Sequence, residues 1–511
     1  MKRRNFLKLA SGVAATRVFP VGLGVAAAAK QAYAASPAYE DVNVVAPSVM
    51  PQVINIHMYG GASELAGNLT NIADIEVNSQ NSYAGAFGNR ILRTQAEAEA
   101  ADNVNDDDWE ITPNGFWRSA GGQHMEDMLA TEDLAVYRTI FKQKSPTRSH
   151  RESIFMSHKG TTDIENSPGI GSRLALMMMM NESTYASASL ADNSNTPVGS
   201  LDSLILPFVS FEGDTQTYAL DPSYSVPLHL RGLTMDESFN NPYSRGSIGG
   251  SEDAIEALKD QRLSQTQGNR DKYSAAWDGF EKRSDMATRM ADLETLLEGN
   301  DDNGNLSSAD LLGVTYPNTT FGRQLEAAIT LAIHNPQTLY MAVGTPGLGG
   351  WDDHNNGVDD YPGRMNQLMD ALKAGMEHIR AAQQQGVTTI SGTQRNQTNN
   401  IVINVLGDFG RLVNLNGSNG WDHANNQNLY TLGGKGVRPQ KESAAMGSVV
   451  GTTVREGTSK TNNQYTVPAS GSVTFEPMCM ASSIYSYFGV QNPGIMTDGD
   501  GRLEDALPDL V

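Results

Sequence analysis

The chain has 511 residues, and its 58 acidic side chains outnumber its 37 Lys and Arg side chains, which gives a formal net charge of −21 at pH 7. An acidic surface of this size argues against nucleic acid and anionic lipid as partners, because both would repel it. The single cysteine, Cys479, excludes an internal disulfide framework and a cysteine-based zinc site. A small anionic substrate stays open, because a local metal ion or arginine can reverse the field.

The N-terminal region, residues 1–34, predicts a twin-arginine export signal. Arg3 and Arg4 precede a Phe-Leu-Lys run and an apolar stretch, and Ala32 and Ala34 supply the small residues of a cleavage site. Basic residues interrupt the apolar stretch, which makes it too weak for a transmembrane helix. An ordinary secretory signal or an uncleaved anchor is the alternative. We therefore expect a bacterial protein exported in the folded state to the periplasm or the exterior, without a transmembrane segment in the mature chain.

Short β-branched runs alternate with segments of helical periodicity along the rest of the chain. The clearest helical patterns are Phe321–His334 and Met365–Ala382. Alternating strands and helices predict an α/β fold with a mostly parallel central sheet covered by helices on both faces. In such sheets, ligand sites collect beyond the carboxyl ends of the strands. The predicted strands are Val53–Met58, Leu134–Ile140, Leu204–Phe211, Leu339–Val343 and Ile401–Leu406.

Two stretches are predicted to be insertions into a single domain over residues 35–511. The stretch near 90–115 is acidic and rich in Ala and Asn, and the stretch near 240–310 holds a Gly/Ser loop followed by charged helices. We interpret the second as a helical cap or side subdomain. The Asn/Thr/Gly-rich regions around 384–400 and 450–470 predict exposed loops.

A glycine-rich segment from Gly60 to Asn68 directly follows the first predicted strand. Glycines allow the backbone to approach a ligand, and Glu64 or Asn68 could supply oxygen ligands to a cation. A tight strand-to-helix turn explains the same segment equally well.

Ser149 follows the second predicted strand and would open a helix, whose free amides and dipole favour an anion. Beside Arg148, His150 and Arg151, its hydroxyl could be a nucleophile toward an ester of phosphate or sulfate. The alternative is structural, because Ser149 and Glu152 have the spacing of a capping box.

Two acid–imidazole pairs follow neighbouring strands. Asp352 and His354 come after the fourth predicted strand, and Asp408 comes after the fifth, with His423 returned by a glycine loop. Carboxylates and imidazoles together favour zinc or another transition metal, and such a site polarises an anionic ester. Arg411 could hold a substrate oxygen through a forked pair of hydrogen bonds.

These residues also have a structural interpretation. Asp408 and Arg411 could form a salt bridge while Asp422 caps a helix. The remaining histidines stand within predicted strands and helices, so we interpret them as packing or surface residues: His57, His334 and His378.

These segments, in this order behind a twin-arginine signal, resemble a large bacterial family of exported proteins, a domain-of-unknown-function family assigned to the alkaline phosphatase and sulfatase superfamily. Its pattern is Gly-Gly-Ala, Ser-Arg-Ser-His, Gly-Gly-Trp-Asp-x-His, Glu-Phe-Gly-Arg and Gly-x-Asp-His. The resemblance covers nearly the whole mature chain. The matching segments here are Gly60–Ala62, Thr147–His150, Gly349–His354, Asp408–Arg411 and Trp421–His423.

The resemblance implies a central sheet like that of alkaline phosphatase, with a nucleophile at a helix start and metals at the strand ends. Ser149 then falls at the position of the nucleophile. The metal positions that it implies are Asp352, His354 and His423 for one site, and Asp408 with Glu64 for the remnant of a second.

The chain departs from the family pattern at three places. It has Ser63-Glu64 where members commonly carry Asp-Gly, and Phe409 where the superfamily often has a histidine. A second metal site would therefore lack a histidine. Lys144 stands at the position of the sulfatase Cys or Ser, so formylglycine chemistry is not expected.

Two functions follow as hypotheses. The first is a metal-dependent hydrolase of phosphate or sulfate esters, with Ser149, Arg148 and Arg411 acting on the ester. Its cofactor would be a divalent metal, zinc first, with calcium, magnesium and manganese also open. The second is a non-catalytic envelope protein that uses the same fold as a scaffold for glycans or partner proteins. The sequence leaves the substrate, the metal and the oligomeric state open.

Overall fold

The computed structural model describes residues 39, 42–69, 111–236, 257, 291, 293–296, 306–413, 416, 418, 420–456 and 465–508. The predicted export signal lies outside the described residues. The predicted insertions near 90–115 and 240–310, with the predicted helical cap, lie largely outside them as well.

An eight-stranded mixed sheet forms the centre of the described chain, and three two-stranded sheets accompany it. Its strands are β1 (Gln52–Met58), β2 (Leu134–Phe141), β3 (Phe208–Ser210), β4 (Leu233–Thr234), β5 (Tyr340–Val343), β8 (Ile401–Gly407), β11 (Asn426–Gly433) and β12 (Val449–Val450). The short sheets pair β6 (Val387–Thr388) with β7 (Gln394–Arg395), β9 (Gly410–Arg411) with β10 (His423–Ala424), and β13 (Thr453–Glu456) with β14 (Tyr465–Pro468).

The central sheet runs in the order β12-β2-β11-β8-β1-β5-β3-β4. Its neighbouring strands are parallel except at β11, which is antiparallel to both β2 and β8. The described helices are α1 (Gly122–Ala130), α2 (His150–Lys159), α3 (Ile170–Met180), α4 (Glu182–Tyr185), α5 (Ser308–Leu311), α6 (Thr320–His334), α7 (Gly357–Gln385), α8 (Gln440–Ala445), α9 (Met478–Tyr487) and α10 (Leu503–Ala506).

Helices cover the sheet on both faces. Successive side chains of a strand point to opposite faces, so each central strand contributes to two cores. Ile54 of β1 and Ile403 of β8 pack with residues of α1, α6 and α7. Val53 and Val402, one position away, pack with residues of α3 and α9 on the other side. Burial on both faces explains why these strands are continuous apolar runs.

The predicted α/β architecture is confirmed at this level: a large, mostly parallel mixed sheet with helices. Four of the five predicted strands agree with the structure to within one residue at each end. The exception is Leu204–Phe211, of which only Phe208–Ser210 is strand. Leu206 adopts a positive φ of 54°, and Pro207 has no N–H to donate, so the ladder begins only at Phe208.

Both regions predicted as exposed loops differ from that prediction. The described part of the region around 450–470 pairs β13 with β14. In the region around 384–400, β6 and β7 form a hairpin. Arg395 in this hairpin is fully buried. Its guanidinium donates to backbone and side-chain oxygens of the sheet and of α6, among them Gln52 Oε1 at 2.7 Å and Asn400 Oδ1 at 2.9 Å. None of the described helices combines the length and the apolar character needed to cross a bilayer.

Candidate metal centre

The loops that follow β1, β2, β5 and β8 meet at one edge of the sheet. These four strands run in the same direction, so their carboxyl ends lie along that edge. The antiparallel strand β11 begins at the same edge, directly after β10. The polar residues gathered there are His150, Asp352, His354, Asp408 and His423.

Three histidine Nε2 atoms and one oxygen of Asp352 lie close together. His354 Nε2 is 2.8 Å from His423 Nε2. Asp352 Oδ1 is 3.3 Å from His354 Nε2, 3.5 Å from His150 Nε2 and 3.7 Å from His423 Nε2. The side chain of Asp352 is 49% exposed, so the cluster is open to solvent on this side.

Each of the three imidazoles is held through its other ring nitrogen. The Nδ1 contacts are His150 with Asp408 Oδ2 at 2.8 Å, His354 with Asp422 Oδ1 at 3.0 Å, and His423 with the carbonyl oxygen of Arg148 at 2.8 Å. Carboxylate and carbonyl oxygens only accept, so each Nδ1 donates its hydrogen. Each neutral ring therefore keeps an unprotonated Nε2 that faces the cluster.

Facing acceptors of this kind repel one another unless a cation lies among them. A proton would relieve a single pair, such as His354 with His423, whereas a divalent ion could be shared by His150, Asp352 and His423, since one ligand atom of each lies within 4.8 Å of the other two. Imidazoles with a carboxylate form a donor set that suits zinc or another transition metal. Outer acceptors on Nδ1 are the usual means of orienting metal-binding histidines. The residues present therefore fit a metal ion.

Asp408 lies one layer outside this cluster, whereas the sequence suggested it as a direct ligand. Oδ1 accepts from His57 Nε2 at 2.9 Å, and Oδ2 accepts from His150 Nδ1 and from the backbone N–H of Gly60 at 3.1 Å. Burial opposes its ionisation, but the hydrogen bonds from His150 and His57 lower the pKa of Asp408 to about 2. The same bond raises the pKa of His150. Asp408 thus orients His150.

The charges of Asp352 and His423 also favour a cation. Burial is the largest single influence on Asp352 and opposes its ionisation, but the hydrogen bond and the charge of Arg411, together with the nearby imidazoles, lower the pKa of Asp352. Burial lowers the pKa of His423, although the bond to a backbone carbonyl works the other way. At neutral pH, Asp352 is therefore anionic and His423 is neutral, which are the forms that bind metal.

Arg411 is fully buried beneath the cluster. Its guanidinium donates to Asp352 Oδ1 at 2.6 Å and to four backbone carbonyls, those of Gly60, Gly61, Trp351 and Trp421. The sequence suggested that Arg411 contacts the substrate. In the structure its N–H groups instead hold together the loops after β1, β5 and β8. A salt bridge to Asp408, the structural alternative, is not among the ion pairs of the described residues, since Arg411 pairs with Asp352.

Ser149 precedes α2, as predicted, and its side chain is exposed. The capping box is not formed, because the Ser149 side chain makes no cap hydrogen bond. Thr147 Oγ1 instead donates to Glu152 Oε2 at 2.5 Å and accepts from the Ser149 N–H at 3.2 Å. The residues on either side of Ser149 both touch the cluster, one through its carbonyl and one through its ring.

Glu64 belongs to a different buried network. It lies in the 3₁₀ turn Glu64–Gly67, where Asn426 Nδ2 donates to its Oε2 and Asn428 Nδ2 donates to its backbone carbonyl at 2.8 Å. Burial raises the pKa of Glu64 to about 8, although hydrogen bonds from Asn426 and Asn68 work against the shift. The sequence suggested Glu64 as a metal ligand, whereas the structure surrounds it with amides of β11.

Glu64→Gln is expected to stabilise the protein at alkaline pH. The pKa of Glu64 lies near 8 in the folded chain and near 4.5 when unfolded, so its contribution to stability is intact below pH 4.5 and is lost as the pH rises to 8. Glutamine keeps the shape and does not titrate. At pH 8, we expect its free energy of unfolding to exceed that of the wild type by roughly 2–4 kcal/mol.

Urea unfolding at pH 5 and pH 8 measures this difference, with the exposed Glu165→Gln as the matched control. The gain should be small at pH 5 and appear at pH 8 in Glu64→Gln only. Equal stability of Glu64→Gln and wild type at pH 8 would contradict the prediction.

Sequence reasoning missed three contributors to the centre. His150 supplies an inner nitrogen, while His57 and Asp422 support the inner residues from outside. A signal existed for His150, since it follows Ser149 directly at a strand end. For His57 the signal was hidden, because a histidine inside an apolar strand has the pattern of a packing residue.

Comparison with known proteins adds no relative: no protein-family model matches the chain, and no curated protein matches it. The fold and the site geometry define an α/β protein with a candidate metal centre at the carboxyl edge of its sheet. The resemblance to the alkaline phosphatase and sulfatase superfamily consequently rests on the motifs alone.

Proposed function

We propose that this protein is an exported, metal-dependent hydrolase of phosphate or sulfate esters with an alkaline-phosphatase-like fold. The observation that carries the proposal is the convergence of three histidine Nε2 atoms and one carboxylate oxygen at the carboxyl edge of the sheet. This is the edge at which parallel α/β sheets bind ligands. The predicted twin-arginine signal is consistent with it, since that route carries proteins that are already folded, often because they acquire a metal or cofactor inside the cell.

The metal would be held by His150, Asp352, His354 and His423. When bound, a divalent ion supplies Lewis acidity that polarises an ester oxygen. The surrounding residues keep its ligands in their binding forms: Asp408, Asp422 and the Arg148 carbonyl each hold a hydrogen on Nδ1. Zinc fits this donor set best, and magnesium or calcium, which prefer oxygen ligands, fit it less well.

Ser149 is the proposed nucleophile. Its hydroxyl is exposed and takes no part in the helix cap, and it stands where the first-turn amides of α2 favour an anion. The hydroxyl oxygen would bond to phosphorus or sulfur as the bond to the leaving alcohol breaks, and the hydroxyl proton would end on that alcohol. Water would then release the inorganic acid and restore Ser149.

Ser149→Ala is expected to lower the hydrolysis of p-nitrophenyl phosphate or p-nitrophenyl sulfate by about a thousandfold or more while metal content stays unchanged, because the substitution removes the attacking atom but no ligand. Steady-state rates and elemental analysis on the same samples measure both quantities. Ser145→Ala, which changes another serine of the same loop, is the matched control and should keep the wild-type rate.

Two results would overturn the proposal. If the metal-loaded wild type hydrolyses neither ester, the proposed hydrolase activity is wrong and the non-catalytic scaffold is favoured. If Ser149→Ala keeps the wild-type rate, Ser149 is not the nucleophile, although the metal centre can still be correct.

A further inference from the structure

A chain of buried hydrogen bonds lies away from the metal centre, around the hydroxyl of Ser308 in α5. Ser308 Oγ is 2.8 Å from His334 Nε2 and 3.0 Å from His378 Nε2. His334 Nδ1 is 2.8 Å from the carbonyl oxygen of Thr388, and His378 Nδ1 is 3.1 Å from the hydroxyl of Tyr316. Ser308, His334 and His378 are each at most 4% exposed.

The direction of every bond in this chain follows from its end at Thr388. A carbonyl only accepts, so His334 donates through Nδ1 and accepts through Nε2 from the Ser308 hydroxyl. Ser308 in turn accepts from His378 Nε2, which leaves Nδ1 of His378 to accept from Tyr316. Each ring nitrogen then has one hydrogen-bond partner, and both rings are neutral. An added proton on either ring would therefore break one bond of the chain.

These bonds tie the segment Ser307–Tyr316 to the body of the protein. Ser308 and Tyr316 belong to this segment, whereas His334 is the last residue of α6 and His378 lies in α7. The apolar support is small: Ala309 and Val314 are buried with Ala374, while Leu312 and Tyr316 are only partly buried. The attachment therefore depends strongly on the hydrogen-bond chain.

We propose that the Ser308 chain is an acid-sensitive latch, which holds the segment Ser307–Tyr316 on α6 and α7 at neutral pH and releases it in mildly acidic solution while the rest of the protein stays folded. The trigger is protonation of His334 and His378. In the docked state a second hydrogen on either ring has no acceptor, whereas in the released state both rings reach water.

The charges near the latch act in both directions. Burial, with a smaller contribution from the Arg395 cation, lowers the pKa of His334 to about 4, although the bond to the Thr388 carbonyl opposes the shift. Burial and its neighbour His334 lower the pKa of His378 to about 3. Burial, followed by Glu326 and Glu377, raises the pKa of Tyr316, and burial with Asp310 raises the pKa of Glu326 to about 7. A carboxyl whose docked pKa lies above its free value favours docking as the pH falls, so Glu326 opposes the two histidines in this pH range.

The sign and size of the effect follow from linkage. A released histidine has a pKa of about 6.5, above its docked value, so docking is fully favoured above pH 6.5 and weakens as the pH falls toward 4. Each histidine lowers the docking equilibrium by up to about tenfold per pH unit in this window. When Glu326 is replaced by Gln, so that its opposing titration is absent, the two histidines together predict an opening constant about four hundredfold higher at pH 5 than at pH 7.

Thiol labelling of the full chain tests the latch. Ala309→Cys places a thiol at a site that is 2% exposed, and Leu311→Cys places one in the same helix at a site that is 60% exposed. The ratio of the two labelling rates with 4,4′-dithiodipyridine cancels the intrinsic pH dependence of the reagent. In a Glu326→Gln background we expect this ratio to rise about four hundredfold between pH 7 and pH 5, and about twentyfold when only His334→Gln is added.

In the same Glu326→Gln background, the double substitution His334→Gln/His378→Gln should abolish the pH dependence, whatever its effect on the ratio at pH 7. The native Cys479, buried in α9, reports global unfolding in the same samples. A ratio that does not change with pH would overturn the latch. Labelling of Cys479 in parallel with Ala309→Cys would also overturn it, because the protein would then be unfolding as a whole.

Discussion

Asp352→Ala is expected to weaken metal binding by more than about a hundredfold, which is beyond the range caused by loss of an outer hydrogen-bond partner. The substitution removes the carboxylate of the cluster, whose Oδ1 lies within 3.7 Å of three imidazole nitrogens. It also leaves the Arg411 guanidinium, now without its anionic partner, beside the ion. Titration of the metal-free protein with zinc against a competing chelator measures the affinity.

Asp370→Ala is the matched control for this change, because Asp370 is a half-exposed aspartate of α7 whose ion-pair contact is with His124 at 3.9 Å. It should bind zinc with wild-type affinity. If Asp352→Ala binds zinc as tightly as the control does, the ion does not occupy the histidine cluster and the proposed centre is wrong.

Asp408→Asn is expected to weaken metal binding by about 10- to 100-fold, although Asp408 would not touch the ion. Asparagine offers a single acceptor oxygen where the carboxylate serves His57 with Oδ1 and both His150 and Gly60 with Oδ2. If the amide nitrogen faces His150, that ring must carry its hydrogen on Nε2, where a metal would otherwise bind. The zinc titration used for Asp352→Ala measures the loss.

Asp353→Asn is the control for Asp408→Asn. It shows whether zinc affinity falls because His150 loses its orientation or merely because a buried carboxylate has been replaced. Asp353 is 2% exposed and pairs with Arg364, with no histidine attached. We expect Asp353→Asn to lower stability and to leave zinc affinity unchanged. A similar loss of affinity in both variants would show that Asp408 acts through the fold and not through His150.

The strands and the edge that gathers the polar residues could be predicted from the sequence, because apolar runs of strand length are a local property. Asp352, His354 and His423 were expected to lie together because each belongs to a segment that follows a predicted strand. This expectation needed only the order of strands and loops along the chain, and not the direction of any side chain.

The roles within the centre could not be predicted in the same way, because they depend on which atom of a side chain faces which neighbour. Asp408 has the residue type and place of a ligand, yet both of its oxygens are bonded to N–H groups. Glu64 lies in the loop after β1, but its 3₁₀ turn directs it to the amides of β11. Arg411 has the type of an anion-binding residue and is fully buried instead.

The five contacts of Arg411 have a consequence for how an ion would enter the centre. They fix the loops after β1, β5 and β8 against one another through the folded core, before any ion arrives. Binding would then need little reorganisation of the backbone, so the entropic cost of ordering the site falls on folding and not on metal capture. A cavity that is rigid in this way discriminates between ions by size and preferred geometry, since it cannot contract or expand to suit each of them.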